Sequence, residues 1–390
     1  MNDFFESAFA AYKKKNYNTA LSIIDTISSK DSGSFGNSLQ LKAQIYFELQ
    51  KTDSFITTLK EIYQFNPNDK SNLLALIIWL NNDQKKNDAF NYLNILSKKI
   101  IEESDKDFFN KNVKQLSSFV NLSLDILKSQ ILDKNKQLEV NLNFKAFVNN
   151  IFNSKLALKN IHSEYQRPTY LHYPGLKESA WHNTESVKQL APSDFQSLKE
   201  EIIDLFSSSQ SRPYYQSDAP TKSSLESLRN NENWSSIILQ NQKGVRYDSS
   251  EYPVLASYIK QLPLADCPPH APEVMLSILK PGTHIPPHYG LSNFKLTLHL
   301  PIMVPKGELF IKVGDIKKTW KEGVPLLFDD SYIHEAINNS EQVRLVLIAD
   351  IWHPSLSSSE RILLQNSIEI IDNWHKYSFN HLFSYGLQYN

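Results

Sequence analysis

Pro281-Gly282-Thr283-His284-Ile285-Pro286-Pro287-His288-Tyr289-Gly290 opens the stretch on which the reading of this chain turns. The stretch runs on through Leu298-His299-Leu300, Phe328-Asp329-Asp330-Ser331-Tyr332-Ile333-His334-Glu335 and Val343-Arg344-Leu345 to Pro354. Within these segments four histidines, an aspartate pair and one arginine sit among short alternating apolar runs. Lys295-Leu296-Thr297-Leu298-His299-Leu300 alternates with period two, the signature of a strand with one face toward a core. Short strands are expected at 274–279, 294–301, 309–313, 324–328, 335–337 and 344–352, with no helix between them. That pattern indicates an antiparallel sandwich or jelly roll whose inner face holds polar groups. A helix over 357–371 follows it.

Working outward, residue usage changes near position 160. Before it there is no histidine, no arginine and one proline, Pro67; after it come all 11 histidines and 17 of the 18 prolines. Helix-permissive composition gives way to turn-rich composition, which divides the chain into domains at 1–160 and 161–390. In the first part, apolar residues recur at helical spacing in Phe5-Ala8-Phe9-Tyr12 and Ala20-Leu21-Ile24-Ile27. Tyr12, Tyr46 and Leu80 are spaced by 34, and Ala20, Ser54 and Ala89 nearly so. The spacing resembles tetratricopeptide repeats, helix pairs that stack around a concave groove. A plain helical bundle is the competing reading, and further helices are expected at 108–127 and 138–152.

Between the two parts, Pro174-Gly175 marks a turn, 193–206 reads as a helix capped by Ser193 or Asp194, and 207–232 as a long loop walling a site. A helix is expected over 252–262. Charge is balanced, with a formal net charge of −1, so nothing points to nucleic acid or an anionic membrane. The single cysteine, Cys267, precludes an internal disulfide and reads as an ordinary thiol. The longest apolar run, Leu73 to Leu80, is too short to span a bilayer, and the amino terminus lacks a signal-peptide pattern. A soluble, cytoplasmic protein is expected.

His288 and His334 lie 46 residues apart, positions that face each other across the mouth of a jelly roll. Two imidazoles suit Fe(II), Zn, Ni or Cu, so spacing leaves the metal open. Arg344, ten residues beyond His334 on the last strand, supplies a bidentate fork for a carboxylate in a dry pocket. A metal with open positions beside a buried arginine suits a chelating dicarboxylate, 2-oxoglutarate. The carboxylate of a facial triad would stand two residues after His288, where this chain has Gly290. Asp329, Asp330 or a water supplies that oxygen instead. His284 reads as structural, in a proline-rich loop; Glu335 points away from the site if its strand is regular; Tyr289, Trp320 and Trp352 read as core.

At these residues the sequence resembles the aspartyl/asparaginyl β-hydroxylases, Fe(II)- and 2-oxoglutarate-dependent oxygenases. The resemblance runs from about 167 to 356. It rests on Pro-Gly-Thr-His-x-x-Pro-His-x-Gly at 281–290, Leu-His-Leu at 298–300, Thr-Trp-x-Glu-Gly at 319–323, Phe-Asp-Asp-Ser-x-x-His-Glu at 328–335, and Arg344 with Asp350-x-Trp352-His353-Pro354. It implies an α+β chain: a helical repeat domain, then a double-stranded β-helix of the jelly-roll or cupin type. It further implies that His288 and His334 bind iron, Arg344 binds the distal carboxylate of 2-oxoglutarate, Ser277 and His299 hydrogen-bond that cosubstrate, and Asp330 holds a water. Animal members carry arginines where this chain has Lys295 and Thr297, the candidate substrate residues. The function implied is O2-dependent hydroxylation of an Asp- or Asn-like residue of a peptide or protein, releasing succinate and CO2, with the helical domain docking that partner. Alternatives are the same chemistry on a lipid acyl chain or small metabolite, or a non-catalytic helical-repeat scaffold; the joint presence of His288, His334 and Arg344 argues against the last.

Overall fold

The structure, a computed structural model, describes residues 3–27, 32–151, 161–187, 190–218 and 223–377. Contacts divide the chain into two units, Met1–Gln130 with Ile371–Asn390, and Ile131–Ile370. The division falls some 30 residues before the compositional shift near position 160, and residues 152–160 lie outside those described. The reason is packing. Phe147 stacks 5.5 Å from Tyr173, and the Asn141 amide donates to Glu360 at 2.8 Å, so the last helix before the shift is built into the second unit.

The first unit begins with α1 (Asp3–Lys13), α2 (Tyr17–Ile24), α3 (Ser32–Glu48), α4 (Thr52–Phe65), α5 (Lys70–Asn82) and α6 (Lys86–Glu102). Lys15, Gln50 and Gln84, each just past the first helix of a pair, have φ of 58°, 55° and 61°. After each, a backbone N–H reaches back five residues: Asn16 to Ala11, Lys51 to Tyr46, Lys85 to Leu80. The same turn thus recurs at the 34–35-residue interval that the spacing of Tyr12, Tyr46 and Leu80 anticipates, and helix pairs repeat with it. These turns align Ala20 and Ala89, both fully buried, with Phe55 rather than with Ser54. Where one helix was expected over 108–127 there are two, α7 (Lys106–Ser118) and α8 (Val120–Lys134), broken at Phe119.

The second unit holds α9 (Leu142–Asn150), α10 (Phe195–Ser208), α11 (Pro253–Gln261) and the start of α12 (Ser358–Tyr377). The Asp194 side chain caps α10 by accepting from Ser197 N–H at 3.1 Å. Its strands are β1 (Trp181–His182), β2 (Arg212–Pro213), β3 (Trp234–Asn241), β4 (Gly244–Val245), β5 (Val274–Leu279), β6 (Thr283–His288), β7 (Lys295–Met303), β8 (Gly307–Val313), β9 (Ile316–Lys318), β10 (Leu326–Phe328), β11 (His334–Ser340) and β12 (Arg344–Trp352). The larger sheet runs β1-β10-β7-β12-β5-β3-β2 and the smaller β6-β11-β8-β9. All pairings of these strands are antiparallel. This is the antiparallel jelly roll that the alternation predicts, in the double-stranded β-helix form that the resemblance implies.

The alternation also separates two cores. Leu296, Leu298, Leu300, Leu345, Leu347, Ala349 and Ile351 pack with Leu198, Ile202, Leu255 and Ile259 of α10 and α11. Val346, Phe328, Ile311, Ile285 and Trp320 fill the space between the sheets. Residues 295, 297, 299 and 344, 346, 348, 350 therefore share the inner face.

One expectation fails instructively. The proline-rich stretch around His284, which reads as a loop, forms the edge strand β6, where missing donors are tolerated. The pairing shifts by one residue there: Ile285 faces Ala336, but His288 faces His334. This bulge changes which residues point inward, so His288, and not Pro287, turns into the barrel.

Candidate active site

All eight residues singled out from the sequence, Ser277, His288, Lys295, Thr297, His299, Asp330, His334 and Arg344, line one cavity of about 290 Å³ between the sheets. The smaller sheet contributes the histidine pair; the larger contributes the rest of the strand residues. The His288 and His334 rings stand 4.0 Å apart, centroid to centroid. Each Nδ1 lies against a backbone carbonyl, Pro286 O at 2.8 Å and Tyr332 O at 2.9 Å. Both therefore carry the proton on Nδ1, which leaves each Nε2 lone pair as a metal donor. Burial, and then the neighbouring ring, hold His288 down to about 3; burial also lowers His334. The pair is neutral, the form a metal requires.

Among the described residues no group of three His, Cys, Asp or Glu side chains could hold a metal ion. The two-histidine pattern thus stands without a protein carboxylate. A Cβ added at Gly290 would lie 2.3 Å from the Asp330 carboxyl, so Asp330 fills the space where a residue-290 carboxylate would start. Its Oδ1 is buried without a partner among the described residues, an acceptor open to water.

At the inner end, the Arg344 guanidinium is 1% exposed. Nη1 donates to Ser277 O at 3.3 Å and to Ser277 Oγ at 3.4 Å, and the group lies 5.0 Å over the Trp320 ring. Its Nε has no partner, and no carboxylate pairs with it among the described residues. Burial pulls its pKa down to about 9. A buried cation without a counter-ion is costly and calls for an anionic ligand. Trp320 Nε1 donates to His299 Nδ1 at 3.2 Å, which places the His299 proton on Nε2. Burial, then Arg344, drive His299 far below the usual imidazole range, so it remains a neutral donor. Trp320 is core, as read, and from there it also orients both groups.

At the outer end, Lys295 Nζ lies 2.7 Å from Asp350 Oδ1 and 3.3 Å from Asp330 Oδ2. Burial opposes its charge, but the two carboxylates more than offset this and hold its pKa well above the lysine range. Its charge is already matched. Asp350, quoted only as part of the closing motif, and Glu273 have no role in the sequence reading, although period two from Arg344 and from Ser277 leads to them. Asp350 Oδ2 accepts from Glu273 N–H at 3.2 Å. Tyr214 and Leu225, from the 207–232 segment, wall the same cavity, as expected for part of that loop; residues 219–222 lie outside those described.

Of the remaining residues, most fall elsewhere. His284 pairs with Glu335 at 2.9 Å on the outer face, and neither enters the cavity. Asp329 accepts from Ser331 N–H at 2.9 Å and from Gln166 Nε2 at 3.0 Å, a buried turn group. Tyr289 lines the cavity rather than the core. Burial pushes the Cys267 thiol up to about 12, an unreactive state.

The fold and site define a cupin-type β-barrel with paired histidines at its mouth and a buried arginine at its floor. Residues 192–354 match the family model described as aspartyl/asparaginyl beta-hydroxylase, and the resemblance carried by the motifs stands over that segment. The human aspartyl/asparaginyl beta-hydroxylase is 35% identical over 139 residues, covering 35% of this chain and 18% of the relative. The aspartate beta-hydroxylase domain-containing protein 2 of Xenopus tropicalis is 38% identical over 94 residues, 23% of this chain and 25% of that protein. The ornithine lipid ester-linked acyl 2-hydroxylase of Rhizobium tropici is 44% identical over 82 residues, 20% and 29%. The chain thus spans less than a third of these relatives' lengths. A cupin domain of a transcriptional regulator from Enterobacter cloacae aligns at 19% identity, covering 21% of this chain and 83% of that one, with a TM-score of 0.18, too slight to carry an argument.

Proposed function

We propose that the chain is an Fe(II)- and 2-oxoglutarate-dependent oxygenase that hydroxylates an Asp- or Asn-like residue of a peptide or protein. The observation that supports it most is Arg344, a buried guanidinium lacking a carboxylate, at the floor of a cavity whose other wall presents two Nε2 donors. Iron with 2-oxoglutarate would supply the oxidant that puts one oxygen of O2 on a substrate carbon, with succinate and CO2 as co-products. The protein's part is positioning. His288 and His334 would hold the metal, and Arg344, with Ser277 and the His299 Nε2–H, would grip the far carboxylate. Asp330 would hold the water that replaces a third ligand, and the buried rings of Phe328 and Trp234 line the cavity with apolar surface. The helical unit would dock the polypeptide. Hydroxylation of a lipid acyl chain is the second reading, favoured by the 44% identity to the Rhizobium tropici enzyme. No helix among the described residues is long and apolar enough to cross a membrane.

The test is anaerobic addition of Fe(II) and 2-oxoglutarate to the full chain. A weak visible charge-transfer band is expected from the wild type and not from His288→Ala or Arg344→Ala. An unchanged band in either variant overturns the assignment.

A further inference from the structure

The outer half of the cavity carries an excess of acid. Glu273, Asp330 and Asp350 face it, against Lys295 alone. Lys295 is bound to both aspartates, and Arg344 lies at the opposite, inner end against Ser277. Formally this outer group sums to −2. Even with a proton on Glu273, Asp330 and Asp350 outnumber the one ammonium. A free substrate carboxylate would enter beside two or three others in a site of low dielectric, where like charges repel strongly. A side chain bearing N–H groups would instead find acceptors already in place. Asp330 Oδ1 is buried and unpartnered among the described residues. The Glu273 carboxylate lines the cavity and is reached by the Tyr214 side chain, which leaves it further capacity to accept.

Resting on the oxygenase reading of this cavity, we propose that its substrate arm selects a hydrogen-bond-donating side chain, carboxamide or ammonium, and rejects a carboxylate. Glu273 and Asp350 are then specificity determinants, and Lys295 is a scaffold that fixes the two aspartates rather than a receptor for an acid. Discrimination of this kind arises as much from repelling the wrong group as from binding the right one.

The test uses the full chain loaded with Zn(II), which does not turn over, and 2-oxoglutarate. Saturation-transfer NMR is read on an equimolar mixture of N-acetyl amides of aspartate, asparagine and lysine. The asparagine and lysine derivatives are expected to take up at least three times the saturation of the aspartate derivative. In Glu273→Gln and Asp350→Asn proteins that ratio should fall toward one, and either variant suffices if the other does not fold. Equal uptake by all three, preference for aspartate, or uptake by none overturns the proposal, as does a ratio that both folded variants leave unchanged. The visible band with Fe(II) reports separately on the oxygenase reading: a band together with aspartate preference sinks this inference alone.

Discussion

Gly290 and Asp330 compete for one volume. The Gly290 N–H donates to the Asp330 carbonyl at 2.6 Å, and a Cβ on Gly290 would stand 2.3 Å from the Asp330 carboxyl carbon. The two residues come from different strand ends, 40 positions apart, and the absence of a side chain at one makes room for the carboxylate of the other.

Gly290→Ala is therefore expected to cost about 1–3 kcal/mol in denaturant unfolding, since the clash is with a carboxyl held by Lys295. The same change made in an Asp330→Ala background should cost less than half as much. Equal costs in the two backgrounds would show that the Asp330 side chain is not what Gly290 accommodates.

Arg344→Met should leave the ligand-free protein as stable as the wild type or more so, because it removes a buried charge that has no counter-ion among the described residues. The wild type should gain about 2.7 kcal/mol when 2-oxoglutarate is present at roughly 100 times its Kd. The variant should gain nothing at that concentration. Thermal unfolding with and without the dicarboxylate reads both effects.

Acid should destabilise the barrel unit through its buried neutral histidines. Burial holds His172, His182 and His353 down to about 4. Their folded pKa lies below the unfolded value near 6.5, so the unfolded chain takes up protons that the folded one refuses. Stability is then flat above about pH 7 and falls from pH 6.5 toward 4, by about 1.4 kcal/mol per pH unit for each such histidine. His182→Asn should reduce that slope by about one proton, measured by urea unfolding from pH 7 to 5.

In the helical unit, Gln50 and Gln84 adopt left-handed backbone angles in the repeated turn. Gln50→Gly and Gln84→Gly are each expected to stabilise by up to about 1 kcal/mol, because glycine meets no Cβ penalty there. Lower urea midpoints in both would show that the side chains contribute more than the turn strains.

Much of the site was legible because strand periodicity is local. Period two along 295–299 and 344–350 places inward residues without knowledge of the partner strand, and the motifs supply the two histidines. What escaped was the pairing between strands. Lys295 reads as an available cation, since nothing in its neighbourhood in sequence reveals Asp330 and Asp350, 35 and 55 positions away. Trp320 reads as core and is core, but its contacts with Arg344 and His299 were hidden for the same reason. The edge strand was hidden by two prolines, which a central strand would exclude and an outermost one accepts. In the helical unit, the 34-residue spacing signals the turns but misassigns one close-packing position, because the extra residue falls between the first turn at Lys15 and the second at Gln50.

Pro286 and Pro287 also have a consequence for how the facing of His288 and His334 is kept. They occupy the bulge opposite Glu335, between the pairings at Ile285 and His288. Sliding β6 by one position would set a residue without an N–H where the ladder needs a donor, and would rotate His288 out of the barrel. The prolines thus act as a ratchet pawl on the strand, blocking slippage mechanically. They also deny a passing chain a continuous row of donors along this outer edge, so the border that carries His288 is guarded against unwanted strand addition.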